Sequence, residues 1–387
     1  MRKRIFIIAG EPSGDYLGSK LIKDLRELTN NKIDIYGVGG ELMQKAGLKL
    51  FFNMQEISII GIAEVVPKIL KIRKLINQTV QEIITFNPDV VITIDSSGFT
   101  HRVDRKVKKI NPNMSIIHYV APPVWAWREW RARSMHKFID LLLTLFPFEP
   151  KYFEKYGLKS VFVGHCITKD PNLIEPTRDE KFHFEKKYGI ANSHITICFL
   201  PGSRNSEIER HVKVFNEAMV MLSKKYEGIN VLIPMLPEKV DFLKKYIGEF
   251  NYAIITDKRE KGLAMYSSNI AVAASGSVNL ELAIAGIPSI VIYKTSEITA
   301  FIVRLLIRIN MVNIVNILLK KKIIPELLQS DCTPENIVKS IESLISSRKC
   351  IIQKDAYKHV IEMIREPEEM FAAKEVLNFI CERKSKC

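Results

Sequence analysis

Two distant segments of this chain open in the same way. Ile5-Phe-Ile-Ile-Ala-Gly10 runs into Glu11-Pro-Ser-Gly-Asp15, and Ile195-Thr-Ile-Cys-Phe-Leu200 runs into Pro201-Gly-Ser-Arg-Asn-Ser206. A short apolar run without polar alternation is the pattern of a strand buried on both faces. Followed by a Gly/Pro/Ser loop and an amphipathic helix, it opens a nucleotide-binding α/β domain. A chain that does this twice is expected to form two doubly wound domains, with function in the cleft where they face.

The rest of the pattern extends that expectation. Strands are predicted at 4–10, 33–38, 89–95, 115–120, 140–145 and 160–164, then at 195–200, 230–235, 252–256, 270–274 and 289–293. Helices are predicted over Asp15 to Leu28, with Leu17, Leu21, Leu25 and Leu28 on one face, and over Glu64 to Thr85. Ser13 is placed to cap the first of these, and Ser206-x-x-Glu209 has the spacing of a capping box. Alternating strands and helices argue for parallel sheets with crossover helices. Asp170-Pro and Glu175-Pro make a turn-rich linker. The expected division is therefore 1–170, 171–345, and a helical 346–387 that returns to an N-terminal domain.

The 387 residues suffice for two cores. No run approaches the roughly 20 uninterrupted apolar residues of a membrane span. The first strand follows Arg2-Lys-Arg4 but is too short for a signal peptide, so a cytoplasmic location is expected. Cys166, Cys198, Cys332, Cys350, Cys381 and Cys387 are scattered as in a reduced protein. The eight histidines include no close pair in sequence, so no metal site is expected. Net charge is +14. Lysines and arginines alternate with apolar residues in Lys68–Leu75 and Leu319–Ile324, which suits a membrane surface better than a nucleic acid.

Several residues are candidates for chemistry. Pro201-Gly-Ser203-Arg204 lies between a strand and a helix, where backbone N–H groups favour a phosphate; a tight turn with a surface Arg is the alternative. Ser275-Gly276-Ser277 repeats that arrangement, with Glu281 one turn on, either to bind ribose hydroxyls or to compensate the helix N-terminus. Asp95 ends a buried strand, where it serves as a general base or caps the next helix. Glu11 and Asp15, beside Ser13, share that ambiguity. Trp125 and Trp127 flank a Pro-Pro turn near Arg128 and suggest a shaped wall. His118 reads as a satisfied strand histidine, and His165, at the domain junction, as a site residue.

Taken in order, these pieces resemble the lipid-A-disaccharide synthase family, inverting glycosyltransferases of the two-Rossmann GT-B architecture. The matching motifs are Ala9-Gly-Glu-Pro-Ser-Gly-Asp15, Gly37-Val-Gly-Gly40, His118-Tyr-Val, Val124-Trp-Ala-Trp-Arg128, Phe146-Pro-Phe-Glu149, Gly164-His165, Leu200-Pro-Gly-Ser-Arg204, Ala274-Ser-Gly-Ser277 with Glu281, Asn316, and Glu326-Leu-Leu-Gln329. The resemblance implies a UDP-2,3-diacylglucosamine donor and 2,3-diacylglucosamine 1-phosphate (lipid X) as acceptor, with no cofactor. It also implies peripheral attachment to the cytoplasmic face of the inner membrane, and a monomer or a homodimer, a domain swap being one form of the dimer. It carries over Glu11 and Asp95 on the acceptor side, and Ser203, Arg204, Glu281, Asn316 and Gln329 on the donor side. The chain departs from the family after Asp95, where Ser96-Ser97-Gly98-Phe99 lacks the usual Pro and second acid. Residues 57–69 and 301–309 are candidate lipid-contacting stretches. Peptidoglycan glycosyltransferases, UDP-N-acetylglucosamine epimerases and a noncatalytic UDP-sugar-binding protein are the rival readings.

Overall fold

A computed structural model describes residues 2–58, 65–126, 129–190, 195–296 and 311–384. Trp127, Arg128, the 301–309 stretch and most of 57–69 lie outside the described residues or their described side chains. The chain divides into two compact units, Met1–His165 with Glu366–Cys387, and Cys166–Arg365.

In the first unit the strands are β1 (Lys3–Ala9), β2 (Ile33–Gly39), β3 (Lys49–Asn53), β4 (Val90–Ile94), β5 (Ile116–Tyr119), β6 (Leu141–Thr144) and β7 (Ser160–Phe162). They form one parallel sheet in the order β3-β2-β1-β4-β5-β6-β7. The second unit has β8 (Ile195–Leu200), β9 (Ile229–Pro234), β10 (Tyr252–Ile255), β11 (Ile270–Ala274), β12 (Ser289–Tyr293) and β13 (Glu326–Leu328). Its parallel order is β10-β9-β8-β11-β12-β13. The strand order reverses beside the first strand of each unit, between β1 and β4 and between β8 and β11. Such a switch point opens a crevice at the strand C-termini, where α/β sheets take ligands.

Burial explains the strand sequences. Ile5 to Ala9, Val90 to Ile92 and Ile270 to Ala273 are all essentially inaccessible. Phe199 of β8 stacks on Phe215, ring centroids 3.8 Å apart and planes nearly parallel, in the core of the second unit. No described helix is long and apolar enough to cross a membrane.

Two caps differ from expectation. The first helix spans Pro12–Leu28, with Glu11 at the N-cap and Pro12 in the first turn, so Ser13 is already helical. Proline has no N–H to satisfy and its φ suits that position, which moves the start upstream of the serine. The helix after β8 spans Asn205–Ser223. There Glu207 accepts from the Arg204 backbone N–H at 3.4 Å and from its guanidinium at 3.1 Å. Glu209 instead pairs with Lys213 at 2.8 Å. The pairing of Ser206 with Glu209 therefore does not form, because the helix begins one residue before Ser206.

The chain leaves the first unit at His165 and re-enters it at Glu366. The two passages touch: a Cβ on Gly164, whose φ is +83°, would lie 2.3 Å from the Glu366 Cα. Lys20 pairs with Glu366 at 3.3 Å. Helix Phe371–Lys384 then packs on helix Pro12–Leu28. Helix Lys349–Ile364 stays in the second unit, where Gln353 accepts from the Ser289 N–H at 2.8 Å and the Tyr357 hydroxyl lies 2.9 Å from the Ser289 hydroxyl.

Candidate functional site

The switch point of the first sheet holds two carboxylates. Glu11 follows β1 and Asp95 follows β4, and both line a cavity of about 820 Å³. Asp95 and Ser96 both adopt left-handed backbone, φ +50° and +46°. Two successive non-glycine residues in that region are strained, as at many functional loops. The loop is secured by Thr100, whose hydroxyl donates to the Asp95 carbonyl at 2.8 Å. It also lies so close to Gly10 that a Cβ there would be 2.5 Å from Ser96 Oγ.

Burial raises the pKa of Asp95 above the ordinary carboxylate range, opposed by the Ser96 N–H that donates to it at 2.7 Å. Glu11 is also raised, first by partial burial and then by the neighbouring Asp95 charge; Ser96 Oγ, donating at 3.4 Å, pulls it down. A pair of carboxylates whose proton affinity is raised in this way is suited to accept a proton from a bound hydroxyl.

Asp15 does a different job. Its oxygens accept from the N–H groups of Gly40 (2.9 Å), Leu42 (3.1 Å) and Met43 (3.0 Å). The side chain is buried and turned to backbone. A Cβ on Gly40 would sit 2.4 Å from its carboxylate, which accounts for the last glycine of Gly37-Val-Gly-Gly40. Ser13 is exposed on the first turn of its helix.

An aromatic wall occupies the same unit. Trp125 meets Phe148 edge-on at 5.3 Å, Phe148 stacks on Phe146 at 5.8 Å, and Phe146 lies 5.5 Å from His165. Glu149 anchors it, accepting from the Trp125 indole at 3.3 Å and from the N–H groups of Leu145 and Phe146 at 3.1 Å each. Burial pushes Glu149 up to about 7 and His165 down to about 4. A carboxyl that binds its proton more tightly when folded contributes stability that is full below its unfolded pKa and lost as pH rises through the folded one. Urea melts should therefore show the wild type losing stability relative to Glu149→Gln as pH rises from about 4.5 to 7, by up to about 1.4 kcal/mol per unit. A difference independent of pH would refute the assignment.

His118 is a strand histidine, fully buried on β5. Its Nδ1 lies 2.8 Å from Thr93 Oγ1 and its Nε2 3.3 Å from His101 Nε2. Thr93 is also 3.2 Å from the buried Asp104 carboxyl. Burial drives His101 to about 2 and His118 to about 3, so both imidazoles are neutral, and it raises Asp104 well above the ordinary aspartate value. The sequence separates these histidines; folding pairs them.

The second unit presents its loops at its own switch point. Gly202 has φ +110°, and Ser203 and Arg204 are exposed after β8. Ser275, Gly276 and Ser277 follow β11, and a Cβ on Gly276 would meet nothing within 4 Å. Neither φ nor internal packing thus demands that glycine. Glu281 pairs with Lys261 at 2.5 Å. Gln329, φ +50°, follows β13 and accepts from the Thr295 N–H at 3.3 Å.

Asn316 is fully buried, and its amide is committed to the fold. It donates to the Ile324 carbonyl (2.9 Å) and to Glu326 (2.8 Å), and accepts from the N–H groups of Ile323 and Ile324 at 2.9 Å each. Glu326 also accepts from the N–H groups of Val312 (3.1 Å) and Asn313 (3.0 Å). Val312 in turn accepts from Ser275 Oγ at 3.2 Å, and Asn313 reaches Asn279 at 3.2 Å. This network supports the Ser275–Ser277 loop from beneath. His211 supports the other loop: its Nδ1 donates to the Pro201 carbonyl at 2.7 Å and its Nε2 accepts from the Lys294 N–H at 3.0 Å. Sequence reasoning missed His211, Asn279, Asn313 and Glu326 as site supports. For Asn313 a signal existed, since Asn before an apolar run marks an N-cap. Among the described residues no three His, Cys, Asp or Glu side chains group as a metal site would require.

The lipid-A-disaccharide synthetase family profile matches residues 5–379. Lipid-A-disaccharide synthase of Rhodospirillum centenum is 36% identical over 98% of this chain and 95% of its own. The chain belongs to this family. The Rickettsia typhi lipid-A-disaccharide synthase is 38% identical over 89% of this chain and 90% of its own. The UDP-GlcNAc 2-epimerase of Neisseria meningitidis, solved bound to UDP-GlcNAc, shares the fold with a TM-score of 0.61 at 14% identity, covering 98% of this chain and 99% of that one. Family membership sets aside the epimerase and peptidoglycan-enzyme readings, whose likeness is one of fold. The GT-B type expected from sequence, two doubly wound parallel-sheet domains, is the one observed.

Proposed function

We infer that the protein transfers 2,3-diacylglucosamine from UDP-2,3-diacylglucosamine to the 6-hydroxyl of 2,3-diacylglucosamine 1-phosphate. The products are a β-1,6-linked lipid A disaccharide 1-phosphate and UDP. The observation that carries this reading is the carboxylate pair in the Asp95 cavity of a chain belonging to this family. Asp95 takes the hydroxyl proton as the acceptor oxygen attacks the anomeric carbon. The bond from that carbon to UDP breaks on the opposite side, which inverts the configuration. Glu11 stands beside Asp95 and supplies the second carboxylate that Ser97 and Gly98 do not.

The leaving diphosphate gains negative charge. Ser203, Arg204 and the Ser275–Ser277 loop are assigned to it, since backbone N–H groups and a guanidinium stabilise such charge. Glu281 and Gln329 are assigned to the nucleoside, Asn316 to shaping the loop that receives it. Trp125 and His165, with Trp127 and Arg128, are assigned to the acceptor side. Acylated substrates place the protein at the cytoplasmic surface of the inner membrane. Purified protein given both acylated glucosamines should release UDP and form one disaccharide product by mass spectrometry. Binding of both substrates without UDP release would overturn the reading.

A further inference from the structure

Helix Thr100–Ile110, which leaves the Asp95 loop, and the segment Glu129–Met135 both continue beyond the cavity just described. Arg102 and Arg131 line that cavity. One turn further along each element, Arg105 and Ser134 line a second pocket of about 380 Å³, with Lys108, Lys109, Lys137 and Phe138. Four cations meet in this small space. Asp140 engages one of them, Lys108 at 2.8 Å, and is itself shared with Arg383. Among the described residues Arg105, Lys109 and Lys137 make no ion pair.

Lys108 and Lys109 sit in the last helical turn, where the carbonyl end attracts cations, so the helix dipole accounts for part of the enrichment. Arg105 lies a turn earlier, and Lys137 is on another element. Arg105 is laid over the Phe138 ring, its guanidinium carbon 4.5 Å from the centroid. The ring contact holds the guanidinium at the pocket, and a guanidinium's forked N–H groups match the oxygens of a phosphate.

We propose that this pocket is a second anion site that binds a phosphate monoester, held by the Arg105 guanidinium and the ammonium groups of Lys109 and Lys137. Trp130, 66% exposed, stands on the neighbouring segment, and an exposed aromatic near cations is what a bilayer surface meets. The phosphate therefore arrives either on a soluble sugar phosphate or on an anionic lipid. The site is separate from the transfer chemistry, and its test uses no turnover.

The full chain, K109Q/K137Q, R105Q and a control K244Q/K245Q in the second unit are compared for two probes. Glucose 1-phosphate is titrated calorimetrically, and phosphatidylcholine vesicles with about 20% phosphatidic acid are co-sedimented at about 0.1 M salt. Wild type and control should bind alike, while K109Q/K137Q and R105Q weaken at least about tenfold without a change in thermal stability. Loss for both probes marks the phosphate group itself as the ligand; loss for vesicles alone, with no binding of the sugar phosphate, marks the lipid headgroup. Unchanged binding by the pocket variants, equal loss in the control, or no binding of either probe by the wild type overturns the proposal.

Discussion

Asp95→Asn should lower the turnover number by about 10² to 10⁴, the range a general base contributes, while UDP affinity stays within about twofold. Asparagine tolerates the left-handed backbone that Asp95 adopts at φ +50°, so the loop should survive the change. What disappears is the carboxylate proposed to accept the proton. The pH profile supplies an independent reading. Burial raises the Asp95 pKa, and a base must be ionised, so kcat/KM should fall as pH drops through a value above the usual aspartate range. In Asp95→Asn that acidic limb should vanish from the residual rate. Turnover near the wild-type level would remove Asp95 from the mechanism.

Asn316→Leu should have the largest effect on stability. The substitution keeps the volume but strands the Ile323 and Ile324 N–H groups and the Ile324 carbonyl, and it leaves Glu326 Oε1 with the Asn313 N–H alone. At about 1–3 kcal/mol for each unsatisfied buried group, partly relieved by relaxation, the loss should total about 3–5 kcal/mol. Urea denaturation followed in the second unit would show it. UDP binding should weaken too, because Glu326 holds the Val312 and Asn313 N–H groups and Val312 receives Ser275. Stability within about 1 kcal/mol of wild type together with lost UDP binding would mean that Asn316 touches the nucleotide directly.

Much of this architecture is readable from the residues because parallel strands buried on both faces leave continuous apolar runs. The strands that escape notice are β3 and β13, edge strands of half-exposed residues whose sequences, Lys49-Leu-Phe-Phe-Asn53 and Glu326-Leu-Leu328, are short or uneven. Ends of strands are legible as sites for the same reason: a carboxylate closing Val90-Val-Ile-Thr-Ile stands out. The partners of such residues are not. Asp15 looks like a cavity acid in an acidic loop, yet it ligates backbone at Gly40 to Met43, a contact made by the β1–β2 crossover and visible in no local pattern. His101 and His118, and His211 with Lys294, meet only after sheet pairing brings their elements together. The caps fail differently, since Ser13 and Ser206 have suitable side chains but Pro12 and Asn205 start their helices first.

The return of the chain at Glu366 has a consequence for how the protein is made. Helix Phe371–Lys384 rests on helix Pro12–Leu28, so the first unit cannot cover that face until synthesis has passed through all of Cys166–Arg365. The unit begun first is thus the unit finished last. Until it arrives, helix Pro12–Leu28 has its sheet to pack on but lacks the terminal helix, while the last strand of the second sheet ends at Leu328. Contacts so distant in sequence close slowly. A chain truncated before Glu366 would therefore carry the complete second sheet tethered to an open-sided first unit.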